Sequence, residues 1–583
     1  QYNYGYIGVI TQEMLEVALN KVDKKMQITT EHHYDLPNLA ANHELASVYN
    51  YKEGVFQSPY RSLGVSKSLG FVKSQIHGVF PVESQPAIQD IRDPRKPIGS
   101  RHHLQISLNK TNGLKEPEYD KLEEKFMKDF LMESFVRYVP GLSQVRVYDT
   151  TQAIIGIRSM GSTSIDTSTS AGLPYKLDPK TVGKKPWIQF DENTKTYQIH
   201  ERVFMDTKLY EDYYRYGRVP QNDKLEFRKF ELVPDEKINN PKTRTVGVGN
   251  MIHLIIYRKL YADLYTQVKN VWELGKTSPF AMGVDTERHW DQISQHLKFT
   301  DCVYDFDVKA WEEKICLKLL NLTADVKCDL IERAYKSRGE VPPVIRSIAY
   351  ALNVDFMDTD VVFEDTIYRK RSGLLSGHPG TFMENSEIHE MLIGLIFRRI
   401  LIKKNPAWAT VQFIHDNVRT IKAADDIQIA LSPKMRSIVT QADIVEGYNA
   451  LKFDLTSADK ITEIKAKRLE ESQFLKHHYT RQPDGTCRAD PNLSIIYQLF
   501  NWIRSDTKLT KDEQFTVNIE NAFRFAFQKG RAVYEEIRGT FNDAALPHRR
   551  NWSYDYDTMA QVMKQRQLDI THINQTINTP NPR

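Results

Sequence analysis

Apolar residues recur at helical spacing over several long stretches of this chain and alternate with polar residues over a few short ones. Residues 118–139 place Leu122, Phe126, Phe130, Leu131 and Phe135 at roughly helical spacing, which predicts an amphipathic helix. Residues 250–274 predict a longer one, closed by Gly275. Further helices are predicted over 203–216, 386–399 and 433–451, that at 386–399 with a wide apolar face. Strand signals are fewer. A short apolar strand is predicted over 302–307, and Val418-Arg419-Thr420-Ile421 and Ile427-Gln428-Ile429-Ala430-Leu431 read as the arms of a β-hairpin. Residues 166–175 are a loop of hydroxyls, Gly and Pro, and 180–197 reads as further loop or strand. Residues 1–110 mix short helical patterns with extended, Pro-punctuated segments. Beyond Thr480 the chain turns helical, and 571–583 reads as a frayed polar tail. Strands separated by helices predict an α+β fold, a mixed sheet covered by helices.

A chain of 583 residues allows two to four ordinary domains or one large multilobed unit. At 40% hydrophobic and 26% charged it is an ordinary globular protein. The net charge of +4, from 79 basic and 75 acidic side chains, does not by itself call for a polyanion partner. Local basic runs are Lys184-Lys185, Arg369-Lys370-Arg371, Arg398-Arg399 and Lys403-Lys404; such runs are most often solvated faces, and 369–371 has the best claim to more. The cysteines Cys302, Cys316, Cys328 and Cys487 form no C-x-x-C pair, which argues against a structural zinc site and fits a reducing compartment. No apolar run is long enough to span a bilayer. The start at Gln1, without initiator Met or leader pattern, predicts either a piece processed from a longer polypeptide, the favoured reading, or an artificially trimmed chain.

Candidate chemistry centres on Ala424-Asp425-Asp426 at the hairpin tip. Adjacent carboxylates repel unless a cation lies between them, and Mg²⁺ takes oxygen ligands, commonly one or two carboxylates plus substrate phosphates. The alternative is an acidic turn in water. Asp305 and Asp307 end the strand predicted over 302–307, and a carboxylate there would complete a two-metal site for in-line displacement. The run Ser376-Gly377-His378-Pro379-Gly380-Thr381-Phe382-Met383-Glu384-Asn385 is more demanding: a Gly/Pro loop enters a helix, with Thr381 and Asn385 four apart on one face.

In order and spacing these segments resemble the motifs of viral RNA-dependent RNA polymerases of the picornavirus-like lineage. Those enzymes carry Asp-x4-Asp, then Ser-Gly-x3-Thr-x3-Asn, then Gly-Asp-Asp; the matches are Asp307 with Glu312, Ser376 through Asn385, and Ala424-Asp425-Asp426. Residues 167–175, with Thr169, Ser170, Gly172 and Pro174, resemble the loop that guides the template strand. Lys242-Thr243-Arg244 resembles the basic motif over the incoming triphosphate, Asp459-Lys460 the segment with a proton-donating lysine, and Phe474-Leu475-Lys476 the primer-grip turn. Ile76-His77-Gly78-Val79-Phe80-Pro81 and Asp93-Pro94-Arg95 are similar to insect picorna-like viruses such as iflaviruses and dicistroviruses.

The resemblance implies a right-hand polymerase closed by fingertips, with an antiparallel palm sheet. Residues 1–290 would form fingers with an N-terminal extension, 291–324 and 386–480 palm, 325–385 a fingers/palm insertion, and 481–583 thumb. Mg²⁺, or Mn²⁺ in its place, would be held by Asp307, Asp425 and Asp426 with the Val308 carbonyl. Lys242, Arg244, Glu312, Ser376, Thr381 and Asn385 would bind the nucleotide, Lys460 would act as general acid, and Gly377 and Lys476 would touch RNA. Partners would be RNA template and primer, NTPs, a small protein primer and other viral replication proteins. The setting would be the host cytoplasm, at membrane-associated replication complexes or within virions.

Two departures matter. Ala424 stands where the family has Gly, and would be strained if the turn needs positive φ. Glu312 stands where the family often has Asp, which shifts the carboxylate that senses the ribose 2′-OH. Two rivals follow: a reverse transcriptase, against which the Ser376–Asn385 motif argues, and a silenced RNA-binding scaffold, which Ala424 favours.

Overall fold

Four antiparallel strands carry the acidic tip. Their order is Val418–Ala423, Asp426–Leu431, Val303–Val308, Leu455–Ser457. The computed structural model describes residues 55–57, 70–89, 93–97, 115–176, 183–220, 223–241, 244–299, 301–363, 366–370, 372–458 and 463–578, with backbone alone at 55–57, 366–369 and 571–578. The hairpin register pairs Ala423 with Asp426, leaving only Ala424 and Asp425 in the turn. Within Val303–Val308 every residue but Asp307 is buried, so the sheet is covered on both faces.

One face lies under the helix Thr381–Lys404, which is buried all round from Met383 to Phe397. It can be so because neighbouring helices crowd it. The helix Lys121–Tyr138 comes so near that a Cβ on Gly394 would lie 2.5 Å from the Phe130 ring, and Gly447 of the helix Gln441–Ala450 admits Ile396 in the same way. The opposite face carries Trp272, Trp290, Leu469, Phe474 and Tyr479. The Lys422 ammonium, fully buried, is held by Glu390 and by Thr420 at 2.6 Å, while Ser134 donates to Glu390 at 2.8 Å.

A second sheet has the order Val55–Gln57, Thr366–Lys370, Thr359–Phe363, Lys224–Arg228, Thr245–Val248. Its one parallel pair joins Thr359–Phe363 to Lys224–Arg228. The mixed sheet is therefore this one; the four strands that carry the carboxylates pair antiparallel, as the resemblance implies.

The helices Leu493–Asn501, Lys511–Gln528, Arg531–Ala545 and Tyr556–Asn578 build a separate core around Phe500, Phe515, Phe523, Tyr534 and Phe541. Ile76 and Phe80 belong to that core, and Phe71–Lys73 pairs with Trp502–Arg504. Residues 71–80 thus pack with the C-terminal helices.

Several elements differ from expectation. The helix predicted over 433–451 is two, Pro433–Arg436 and Gln441–Ala450, because Thr440 starts a fresh helix with a capping box to Asp443. The helix predicted over 386–399 begins earlier, at Thr381, and runs on to Lys404. The stretch read as loop or strand over 180–197 does carry strand, a hairpin of Ile188–Asp191 with Thr196–Ile199, whereas the hairpin of His477–Arg481 with Cys487–Pro491 interrupts the region expected to be helical beyond Thr480.

Removing the Lys422 ammonium would leave Glu390 buried without its cation. Lys422→Met is expected to cost about 3–5 kcal/mol in denaturant unfolding, and adding Glu390→Gln should recover much of it.

Candidate active site

The strand register sets Asp426 directly opposite Asp307. Asp425, at the turn, is exposed, while Asp307 and Asp426 are half-buried. Burial first, then the negative charges of Asp307, Asp425 and Asp305, push the Asp426 carboxyl up to about 7; a 2.8 Å hydrogen bond from the Leu475 N–H opposes them. Asp305 is committed elsewhere, to Lys467 at 2.7 Å and the Gln473 N–H at 2.7 Å. Of the two carboxylates near the strand end, Asp307 is the one at the acidic tip. Val308 ends the strand, paired with Leu455.

No group of three His, Cys, Asp or Glu side chains among the described residues forms a ready-made metal cage. The donor set still fits a hard cation: Asp307, Asp425 and Asp426 offer oxygen only, their mutual repulsion is what a cation relieves, and Mg²⁺ completes its shell with water and phosphate.

The segment after the strand turns at Ala310, whose φ is +53°. Trp311 is buried, donates from Nε1 to Asn385 Oδ1 at 3.1 Å and stacks on His389 with centroids 4.4 Å apart. Burial raises the Glu312 carboxyl, Glu313 and Asp425 add to the rise, and Arg244 and Lys229 oppose it. Arg244 is largely exposed and paired with Glu231, Nε lying 3.0 Å from Oε2, and its guanidinium also feels Glu312 and Asp425. Arg244, Glu312 and Asp425 therefore share one electrostatic neighbourhood. Lys242 and Lys460 lie outside the described residues.

The Ser376 loop is seated by backbone. Gly377 N–H donates to the Gly247 carbonyl at 2.9 Å, and a Cβ at Gly377 would stand 2.4 Å from Val248 Cγ1 and 2.5 Å from Gly247 O. Glycine is needed for this approach, and it fastens the loop to the strand that follows Arg244. The Thr381 hydroxyl is spent on the loop itself, donating to His378 O at 2.9 Å with Leu375 O and Ser376 O at 3.3 Å. Among the described residues the Ser376 hydroxyl and the Asn385 Nδ2 group are buried without a hydrogen-bond partner. Each such orphan costs about 1–3 kcal/mol, and in a cleft it marks a place where a ligand can supply the missing bond.

In the loop at 166–175, Thr169 is exposed, Ser170 and Pro174 are half-buried, and Gly172 is buried. Gly172 has a φ of +68° and lies so near the Gly249 carbonyl that a Cβ would come within 2.3 Å of it. Lys184, read in sequence within a basic run, instead braces this loop. It is buried, binds the carbonyls of Asp166 at 3.2 Å and Thr169 at 3.1 Å, and burial draws its ammonium down to about 8. The other runs divide similarly. Arg399 pairs with Glu123 at 2.7 Å, Arg398 covers the Phe126 ring, Lys404 pairs with Asp443, and Lys370 is buried. The side chains of Arg369 and Arg371 lie outside the described residues.

Leu475 and Lys476 both have positive φ, at +50° and +60°, between the mutually bonded Phe474 and His477. That is the signature of a type I′ hairpin turn. It leaves Lys476 exposed and delivers the Leu475 N–H to Asp426. His477 is buried with Nδ1 2.7 Å from Leu475 O, so it supports the turn from within.

The family model described as viral RNA-dependent RNA polymerase matches residues 79–543. The chain belongs to this family. It is 22% identical over 573 residues to the replicase polyprotein of Drosophila C virus (strain EB), a match covering 93% of this chain and 31% of that polyprotein. It is 26% identical over 497 residues to the genome polyprotein of simian hepatitis A virus genotype V (isolate AGM-27), covering 81% of this chain and 20% of the relative. The chain thus spans a third or less of the length of these curated relatives. Among solved structures it is similar to a Sicinivirus 3Dpol RNA dependent RNA polymerase, with a TM-score of 0.70, 18% identity, and coverage of 88% of this chain and 98% of that one. The fold is the right-hand polymerase fold.

Sequence reasoning passed over several residues that hold this acidic turn. Ser386 and His389 bond the peptide of Ala424, Ser386 at 3.1 Å and His389 at 3.3 Å. Their spacing after Asn385 on the predicted helix was the available signal. The Leu475 N–H had none, because a backbone donor leaves no mark in composition.

Gly377→Ala should lift the Ser376 loop off the strand that follows Arg244. Expected is a KM for nucleotide raised about tenfold, of the order that a lost hydrogen bond and local overpacking produce, with unfolding stability lowered by about 1–3 kcal/mol. Steady-state kinetics beside denaturant unfolding would check both.

Proposed function

We propose that this chain elongates RNA: it adds ribonucleotides to a primer 3′ end under direction of an RNA template and releases pyrophosphate. The observation that carries the reading is the crowded set Asp307, Asp425 and Asp426, set across a fixed strand register and joined through Ser386 to the helix bearing the orphaned Asn385 amide. Phosphoryl transfer asks a protein mainly for positioning and charge stabilisation, and these residues are suited to both.

Asp307 and Asp425 would hold two Mg²⁺ ions, with Asp426 as a secondary ligand and the Val308 carbonyl as a further one. Bound there, the metal would lower the pKa of the primer hydroxyl and neutralise the leaving pyrophosphate. Arg244 would exchange part of its hold on Glu231 for the triphosphate, to which its planar fork is matched. Glu312 and Asn385 would read the ribose 2′-OH, with Ser376 as a further hydroxyl partner; the raised Glu312 carboxyl and the unpartnered Asn385 amide suit that task. Thr381 would act through the loop it holds together. The loop with Thr169, Ser170, Gly172 and Pro174 would guide the template, Lys476 would touch the primer backbone, and Lys460 would protonate pyrophosphate.

We assign fingers to 1–290, palm to 291–324 and 386–480, a fingers/palm insertion to 325–385, and thumb to 481–583. Among the described residues no helix is long and apolar enough to cross a membrane.

The silenced-scaffold reading has one observation in its favour, the left-handed Ala424. Primer extension on primed poly(A), in Mg²⁺ and in Mn²⁺, separates the two, because a scaffold would bind RNA without extending it. Asp425→Ala is expected to reduce elongation by at least about 10²–10³-fold, the scale of a lost charge-stabilising group, while RNA binding stays near that of the parent chain; filter binding beside extension would check this. Arg244→Ala should mainly raise the KM for NTP, by about tenfold for one charge-assisted contact, with RNA affinity held.

A further inference from the structure

Ala424 has a φ of +62°, a region that residues bearing a Cβ seldom enter. Something must hold it there, and the helix Thr381–Lys404 supplies a grip on each side of the residue. Ser386 Oγ accepts from the Ala424 N–H at 3.1 Å while donating to its own helix at Phe382 O, 2.8 Å away. His389 Nδ1 lies 3.3 Å from the Ala424 carbonyl, and His389 Nε2 lies 2.8 Å from the Tyr448 hydroxyl. One tautomer satisfies both ring nitrogens: Nδ1–H donates to Ala424 O, and Tyr448 donates to Nε2. The His389 ring is fully buried and stacked on Trp311, so it cannot turn away. Ser386 and His389 are three apart and share a helical face, next to Asn385.

We infer that Ser386 and His389 form a clamp that holds Ala424 left-handed and so positions Asp425. They are positioning residues, and the clamp lets this chain keep its acidic turn with alanine where the motif it resembles has glycine. Glycine enters the left-handed region at no steric cost and would need no clamp. Losing a clamp contact should therefore matter when residue 424 is alanine and matter little when it is glycine. A general loss of packing or of a hydrogen bond would weigh equally in both cases.

The test is a double-mutant cycle on the full chain with Ser386→Ala, Ala424→Gly and the pair. His389→Phe, which keeps the stacked ring and removes the donor, replaces Ser386→Ala in a second cycle. Two readouts are taken. Hydrogen exchange of the peptide covering 418–431 reports the turn directly and does not depend on catalysis. Primer extension reports Asp425 and rests on the polymerase reading above. In the alanine background each clamp variant should speed exchange at the hairpin and lower kcat about tenfold, with KM for NTP changed less, the scale set by one left-handed alanine. In the glycine background exchange and kcat should stay within about twofold of Ala424→Gly alone. Equal effects in both backgrounds would overturn the clamp. A parent chain that extends no primer would count against the polymerase reading alone, and the exchange cycle would still decide the clamp.

Discussion

Everything at this site depends on holding negative charges together against their own repulsion. Asp426 faces Asp307 across a strand pair, Asp425 projects from the turn beside them, and Asp305 lies two residues behind. Burial and mutual charge raise the Asp426 carboxyl to about 7, so the crowding disfavours its ionisation. A flexible loop would let such groups separate. A four-stranded antiparallel sheet buried on both faces does not, because moving one carboxylate would break a ladder of backbone hydrogen bonds and the packing behind it. The same crowding that makes the site costly makes it receptive to a hard cation.

The supports are mostly buried cations and backbone donors. Lys467 neutralises Asp305, Lys422 is locked to Glu390 under the hairpin, and Lys184 pins the loop at 166–175 through its carbonyls. The Leu475 N–H reaches Asp426 from a neighbouring turn. These groups set geometry, while Lys476 stays exposed at its turn and Arg244, also largely exposed, is paired with Glu231. Basic residues in this chain thus divide by burial, and adjacency in sequence says little about which kind each is.

The acidic tip, the opposing strand and the loop entering the Thr381–Lys404 helix were all legible in sequence, because residue type, order and local periodicity carry them. The family followed from the same motifs. What misled was also local. The polar stretch in 433–451 hid a helix break at the Thr440 cap, and basic runs that read as solvated faces contain Lys184, Arg399 and Lys404, which are engaged within the chain. Spacing named Thr381 and Asn385 together, yet the hydroxyl of one is used up inside the loop while Nδ2 of the other has no partner among the described residues. Hydrogen-bond accounting of that kind exists only once the surrounding backbone is in place.

The sequence by itself determined the chemistry: which carboxylates are present, in what order the motifs run, and that alanine replaces glycine at residue 424. Tertiary structure decided how that chemistry is held. It bound Asp305 to Lys467 and the Gln473 N–H while setting Asp307 opposite Asp426, joined residues 71–80 to the C-terminal helices, and brought Ser386 and His389 to the two sides of Ala424. The physical reason is that residue type and spacing are written along one dimension. Strand register, burial and the partners of backbone groups arise only when segments hundreds of residues apart are packed against one another.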